Sequence, residues 1–485
     1  MSEHFDVLIV GAGISGIGAA YHLKQQCPDR SFAVLEALES FGGTWLMHTY
    51  PGVRSDSDLY TFGYRFKPWL GTPIATAQEI LDYMGEVIEE NDLAAHIRYR
   101  HKIVSASFSR ANNRWTLEVA KTDTGEKTTI TCTFLWMCQG YYRHAEGYTP
   151  DWPGLGDYKG QVVHPQTWPK DIDLKNKEVL VIGSGATTAT VVPAIAGDCK
   201  HVTVLQRSPT YFIPGRNINE LVETLRQIGV DETWIHEIAR KKILFDQAEF
   251  TRRSFEEPEA VKQELLAGVR MFLGPDYDMT HFTPRYRPWR QRIAFVPDGD
   301  LFQGITAGKA TMVTDEIDHF TPQGVRLKSG RELAADVVIT ATGFQLSVLG
   351  DIPFSVDGKP VDWADTVTYR GMMFTGVPNM VWIFGYFRAS WTLRVDLVCD
   401  FVCRLLNHMK ATGTQRVEVV LPDDQKAPPM PWIDPENFNP GYLMRSIQAL
   451  PKRGVGHEWQ HTQDYWREKN ELPAIDLEEA VFLYG

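Results

Sequence analysis

The 485-residue sequence predicts an α/β fold with two Rossmann-like dinucleotide-binding domains and a helical insertion. Two stretches that resemble each other predict the domains, and a run of helical periodicity after the second predicts the insertion. The first stretch is "FDVLIVGAGISGIGAAYHLKQQCPDRSFAVLE". An apolar strand from Val7 to Val10 runs into Gly11, Gly13 and Gly16; an alanine-rich helix follows, and a second apolar strand ends at Glu36. Gly11 permits the tight turn and Gly13 lets the backbone approach a pyrophosphate, while Gly16 allows helix and strand to pack closely. The helix N-terminus then faces the phosphate charge. Glu36 is placed to accept hydrogen bonds from a ribose diol. A lone GxGxxG is a weak signal; strand, helix, second strand and acid in this order are a specific one.

The second stretch, "KEVLVIGSGATTATVVPAIAGDCKHVTVLQRSPT", repeats the design around Gly183 and Gly185. Thr188 stands at the third glycine position, which implies slightly looser packing, and Thr187 precedes it at the start of the helix. Laying "FAVLE" over "VTVLQ" sets neutral Gln206 against Glu36, and Arg207 follows at once. A carboxylate would repel a ribose 2′-phosphate, whereas a guanidinium clamps it with paired charge-assisted hydrogen bonds. The first site therefore reads as an FAD site and the second as an NADPH site. A solvated surface arginine is the plain alternative for Arg207.

"FLWMCQGYY" and "AADVVITATGF" are apolar strands running into glycine, the second expected to end in Thr342 and Gly343; both suit chain crossings between the domains. Apolar residues at Ile218, Leu221, Leu225 and Ile228, then at Leu265, Val269 and Phe272, mark the insertion. Near the C-terminus, Val395, Val398, Val402, Leu405 and Met409 predict a helix starting near Ser390, for which Ser390 could serve as a simple N-cap. The expected organisation is an FAD-binding part at 1–145, the linker and first NADP-binding part at 146–215, the insertion at 216–280, a second NADP-binding part at 281–375 and a C-terminal FAD-binding part at 376–485.

The net charge of -12 argues against a nucleic-acid surface. Six cysteines form no CxxC and no metal-ligand cluster, so no metal is expected and a reducing, cytoplasmic setting is the simplest reading. The segment after Gly42 and Gly43, "TWLMHTYPG", lacks the cysteine pair that a disulfide reductase needs. "GMMFTGVPNMVWIFGYF" is broken by Pro378 and Asn379, so two buried strands, or a strand and a turn, are expected rather than a membrane span. A cytoplasmic protein peripheral to a membrane stays compatible with the sequence, although no basic amphipathic segment argues for it.

"GAGISG", "GGTW", "YPGVRSD", "YKGQVVHPQTWP", "GSGATT" and "TATGF" occur in an order that resembles type I Baeyer-Villiger monooxygenases, and the likeness runs over essentially the whole chain. Motif details such as "LQRSPTY" and "SWTLRVDLV" look closest to the mycobacterial ethionamide-activating branch. The resemblance implies an NADPH- and O2-dependent flavoprotein that converts small lipophilic ketones to esters or lactones through a C4a-peroxyflavin, with sulfur oxidation as a further activity. The related flavin-containing monooxygenases, which oxidise N and S with little ketone activity, end the linker motif in Tyr or Phe; Trp168 favours the first branch.

The same resemblance implies site residues. Gly160, His164 and Trp168 belong to the linker motif that couples the domains, with Tyr158 where the family has Phe. Pro165 and Pro169 disfavour a helix there, so an extended or turning path is expected, with His164 a control or packing residue rather than a proton donor. Arg292, in "YRPWRQR", is the cation that stabilises developing negative charge on oxygen, with Arg290 its rival by position. Asp56 orients Arg292, with Asp58 as competitor unless that acid is solvated or caps a helix. Trp45 and Tyr50 are expected to pack near the flavin, and the helix begun at Ser390 to aim its positive end at the ring. The insertion is expected to cover the site and shape substrate choice.

Overall fold

The computed structural model describes residues 3–423 and 430–485. A nine-stranded sheet forms the base of the first unit. Strand Glu3–Val10 lies between Phe32–Leu35 and Lys127–Met137, parallel to both. Its last four residues are fully buried, as an apolar run covered on both faces must be. The helix Ile14–Gln26 packs against Trp391–Thr412, and the Cys27 thiol points at the Cys403 carbonyl between them. His101–Ser109, Arg114–Lys121 and Lys127–Met137 form an antiparallel meander on the other flank. The apolar stretch around Pro378 supplies two short buried strands, Met373–Phe374 and Met380–Trp382. Among the described residues no helix is long and apolar enough to cross a membrane.

Five parallel strands form the second unit, with Glu178–Ile182 between His201–Gln206 and Val337–Thr340. Ala310–Thr314 and Gln161–Val163 close its edges. Val337–Thr340 stops short of Thr342 and Gly343. The linker is more ordered than a strap: Gln161–Val163 joins the sheet, and Pro165–Thr167 forms one 3-10 turn. Pro165 begins that turn at the position where its missing N–H removes no bond, so proline starts a turn here rather than preventing one.

The chain crossings Tyr142–Gly147 and Phe344–Leu346 run side by side as an antiparallel pair. Phe354–Val356 and Lys359–Pro360 already belong to the first sheet, so the chain returns there well before residue 376. Three helices, Glu220–Gln227, Glu232–Glu256 and Pro258–Leu273, make the insertion. Val222, Val261, Leu265 and Val269 face inward; Ile218, Leu221, Ile228 and Phe272 lie on the exposed side, contrary to a buried stripe through all of them. Buried Arg240 latches the insertion to the first unit by donating to the Tyr60 and Gly63 carbonyls.

Candidate active site

Each glycine of the first turn has a visible task. Gly11 sits at φ +97°, and a Cβ on Gly16 would overlap the Gly11 carbonyl. Gly13 and Gly43 face each other backbone to backbone, and no side chain caps the helix Ile14–Gln26. Glu36 is buried, its carboxylate accepting from Ala12 N at 2.6 Å and Leu38 N at 2.8 Å. Each oxygen keeps a lone pair for a further donor. An uncapped helix start, a side-chain-free approach and an aimed carboxylate fit the pyrophosphate and ribose of FAD. Helices Ala77–Glu90 and Glu232–Glu256, by contrast, are closed by Thr76 and Asp231.

The second turn repeats this. The helix Ala186–Ile195 has no side-chain cap, and a Cβ on Gly185 would meet nothing within 4 Å. Thr188 is buried, so helix and strand stand far enough apart to take its side chain. Gln206 spends its amide on His281 O and Thr314 Oγ1. Arg207 is exposed just past the strand and, among the described residues, makes no ion pair or hydrogen bond, which leaves it free for a phosphate. These features fit NADPH.

The "YPGVRSD" segment binds the units together. A Cβ on Gly52 would press on Ala194 and Thr190 of the second unit's helix. Arg54 forms a two-pronged pair with Asp300, at 2.6 and 3.2 Å, and donates to Ala189 O. Tyr50 is buried in the second unit's core, with Thr187 beside its hydroxyl, rather than in the surroundings of the first nucleotide turn. Trp45 lies on the short helix Thr44–Met47, edge-on to Phe62 at 5.8 Å.

Asp56 turns the other way and accepts from Arg292 Nη2 at 2.7 Å. About a third of each side chain is open, 31 % and 34 %. Asp56 holds the guanidinium even more firmly charged than usual. The rivals take other posts. Asp58 caps the helix Leu59–Phe62 through Tyr60 N, and burial pushes its carboxyl up to about 7. Arg290 pairs with exposed Glu436 at 3.3 Å.

A stacked pair of rings leads from the electrostatic surroundings of Arg292 to the first turn. Tyr141, whose phenol feels Arg292, stacks on Trp391 at 5.2 Å, and the Trp391 indole donates to Ser15 Oγ at 2.7 Å. Ser390 occupies the N-cap position of Trp391–Thr412 but shares its hydroxyl with Thr61 Oγ1 at 2.7 Å, so that helix start too is left without a side-chain cap.

The loop carrying Arg292 holds Trp289 at φ +60°, a strained conformation for a bulky residue. Arg388 donates to the Trp289 carbonyl and to Asn437, and Asn439 N donates to Arg290 O, which fixes the loop. Arg388 was not legible as a site residue. It is buried without a carboxylate partner, and burial pushes it down to about 10.

In the linker, His164 Nδ1 accepts from Gln166 N at 3.1 Å, so Nε2 carries the proton and donates to Gly343 O at 3.1 Å. Burial lowers its pKa, and the neutral ring lies on Gly147, where a Cβ would overlap it. A Cβ on Gly160 would meet Tyr158 and Asp336, and the Tyr158 hydroxyl donates to Ala335 O at 2.9 Å. Trp168 packs against the second unit's core. No group of residues suited to a metal ion occurs among the described residues.

Residues 73–220 match the flavin-binding monooxygenase-like family, and residues 9–70 match the NAD(P)-binding Rossmann-like domain. The FAD-containing monooxygenase EthA of Mycobacterium tuberculosis is 46 % identical over 473 residues, covering 96 % of this chain and 95 % of that one. The caprolactone-bound structure of cyclohexanone monooxygenase is similar at TM-score 0.75 and 19 % identity, over 100 % of both chains. The OTEMO complex with FAD and NADP reaches 0.77 at 20 % identity, again over 100 % of both.

Proposed function

The chain belongs to the flavin-binding monooxygenase family and is a flavoprotein monooxygenase that uses FAD and NADPH; from that premise we propose that it inserts oxygen beside the carbonyl of small lipophilic ketones, giving esters or lactones, and also oxidises sulfur in sulfides or thioamides. The observation that carries the reading is the Arg292–Asp56 pair, half-open and linked through Tyr141 and Trp391 to the first nucleotide turn.

When bound, NADPH supplies the hydride and FAD the activation of oxygen. Arg292 places a permanent cation where negative charge develops on oxygen as the new C–O bond forms. Asp56 sets the direction of the guanidinium. Glu36 and the uncapped starts of Ile14–Gln26 and Trp391–Thr412 hold and polarise FAD, while Gly183, Gly185, Thr187 and Arg207 take NADPH. Gly160, His164 and Trp168 keep the two units in register, His164 as a neutral strut. With its six cysteines free and buried, we place the enzyme in the cytoplasm.

The test is incubation of the holoenzyme with NADPH, O2 and phenylacetone. Benzyl acetate is the expected product; oxidation of benzyl methyl sulfide without any ester would replace the ketone reading with that of an N/S-oxygenase.

A further inference from the structure

Three tyrosines from distant parts of the chain converge on Arg292. Tyr141 and Tyr142 follow the strand Lys127–Met137, and Tyr442 comes from the short helix Gly441–Ser446. Tyr141 donates to the Tyr142 hydroxyl at 2.8 Å, and the Tyr142 and Tyr442 rings meet edge to face at 5.9 Å. The charge of Arg292 acts on all three phenols. The Tyr442 hydroxyl is buried close to those of Tyr141 and Tyr142 but makes no hydrogen bond of good geometry with either. A buried hydroxyl left in that condition is unfavourable, so a ligand that accepts its proton gains what the fold forgoes.

Burial raises all three phenols, so each stays protonated beside the cation and acts as a donor. The apolar ring faces suit a lipophilic substrate, and the Tyr442 proton, which no protein group accepts, suits an acceptor oxygen.

We propose that Tyr442, aligned by Tyr142 and Tyr141, is a substrate-positioning residue that donates a hydrogen bond to the carbonyl oxygen of a substrate bound beside Arg292. This rests on the ketone reading above. It predicts discrimination between two substrates of similar shape, phenylacetone, which offers a carbonyl oxygen, and benzyl methyl sulfide, which offers only a weak sulfur acceptor.

The experiment compares wild type with Tyr442→Phe and, as a second variant within the same cluster, Tyr142→Phe, each as the FAD-loaded enzyme. For Tyr442→Phe, kcat/KM for phenylacetone falls roughly tenfold and that for benzyl methyl sulfide by less than about twofold. Binding of phenylacetone to the oxidised holoenzyme, followed by the flavin difference spectrum, weakens in parallel, and flavin reduction by NADPH keeps its wild-type rate. Tyr142→Phe shifts the same ratio in the same direction, and decides the matter should Tyr442→Phe not fold. Equal losses on both substrates, or none, overturn the proposal and leave the ketone reading standing. If the wild type makes no ester, the ketone reading falls and takes this assignment with it.

Discussion

Arg292 and Asp56 stand 236 residues apart in the chain and 2.7 Å apart in space, the arginine from the second unit's loop and the acid from a segment of the first. Removing the cation removes the only charge we assign to the reacting oxygen. Arg292→Ala is expected to lower ester formation by about 10²-fold or more while NADPH oxidation continues with release of hydrogen peroxide. Asp56→Asn should give a smaller loss of the same kind, because the guanidinium survives but loses its aim. Product analysis alongside NADPH consumption checks both; unchanged ester yield in Arg292→Ala would remove the arginine from the chemistry.

Arg207 is exposed just past its strand and, among the described residues, makes no ion pair, so it is free to take a phosphate. Arg207→Ala should raise KM for NADPH roughly tenfold and leave that for NADH almost unchanged, since only NADPH carries the 2′-phosphate. Equal effects on the two cofactors would return Arg207 to the solvated surface.

Two glycine changes separate folding from binding. Gly16→Ala collides with the Gly11 carbonyl, so the first turn cannot close, and the protein should lose FAD and much of its thermal stability. Gly185→Ala meets nothing in the protein, so its Tm should match wild type while KM for NADPH rises severalfold as the methyl group enters the path of the pyrophosphate. Calorimetry and initial rates distinguish the two.

His48 lies beside the crossing pair, and burial, with the charges of His144 and His164 adding, pushes its pKa from 6.5 down to about 4. A base depressed on folding binds protons more readily when unfolded. Its contribution to stability is therefore full above pH 6.5 and is lost as pH falls toward 4. Tm should decline across that window, and His48→Gln should flatten the decline; an identical slope in the variant would show that the acid sensitivity lies elsewhere.

The fingerprints were legible because each residue in them does a local job: Gly16 must lack a side chain to touch Gly11, and Glu36 must follow its strand to reach Ala12 N. The Asp56–Arg292 pair was reachable only through family likeness, since nothing in two loops so far apart announces that they meet. Tyr50, expected beside the flavin, packs in the second unit's core, which a motif cannot announce because it gives the order of residues and not which unit a loop leans on. Tyr442 and Arg388 left no periodic trace, being single residues in short or irregular segments. In the insertion the helical period was right, although Ile228 and Phe272, which keep that period, face outward.

The stretch from Tyr50 to Asp56 works as a ruler with both ends fixed. Its zero is set on the second unit, where Gly52 rests on Ala194 and Arg54 grips Asp300; its reading is taken at Asp56. The acid that aims Arg292 is therefore anchored on the second unit, the same unit whose loop carries the arginine.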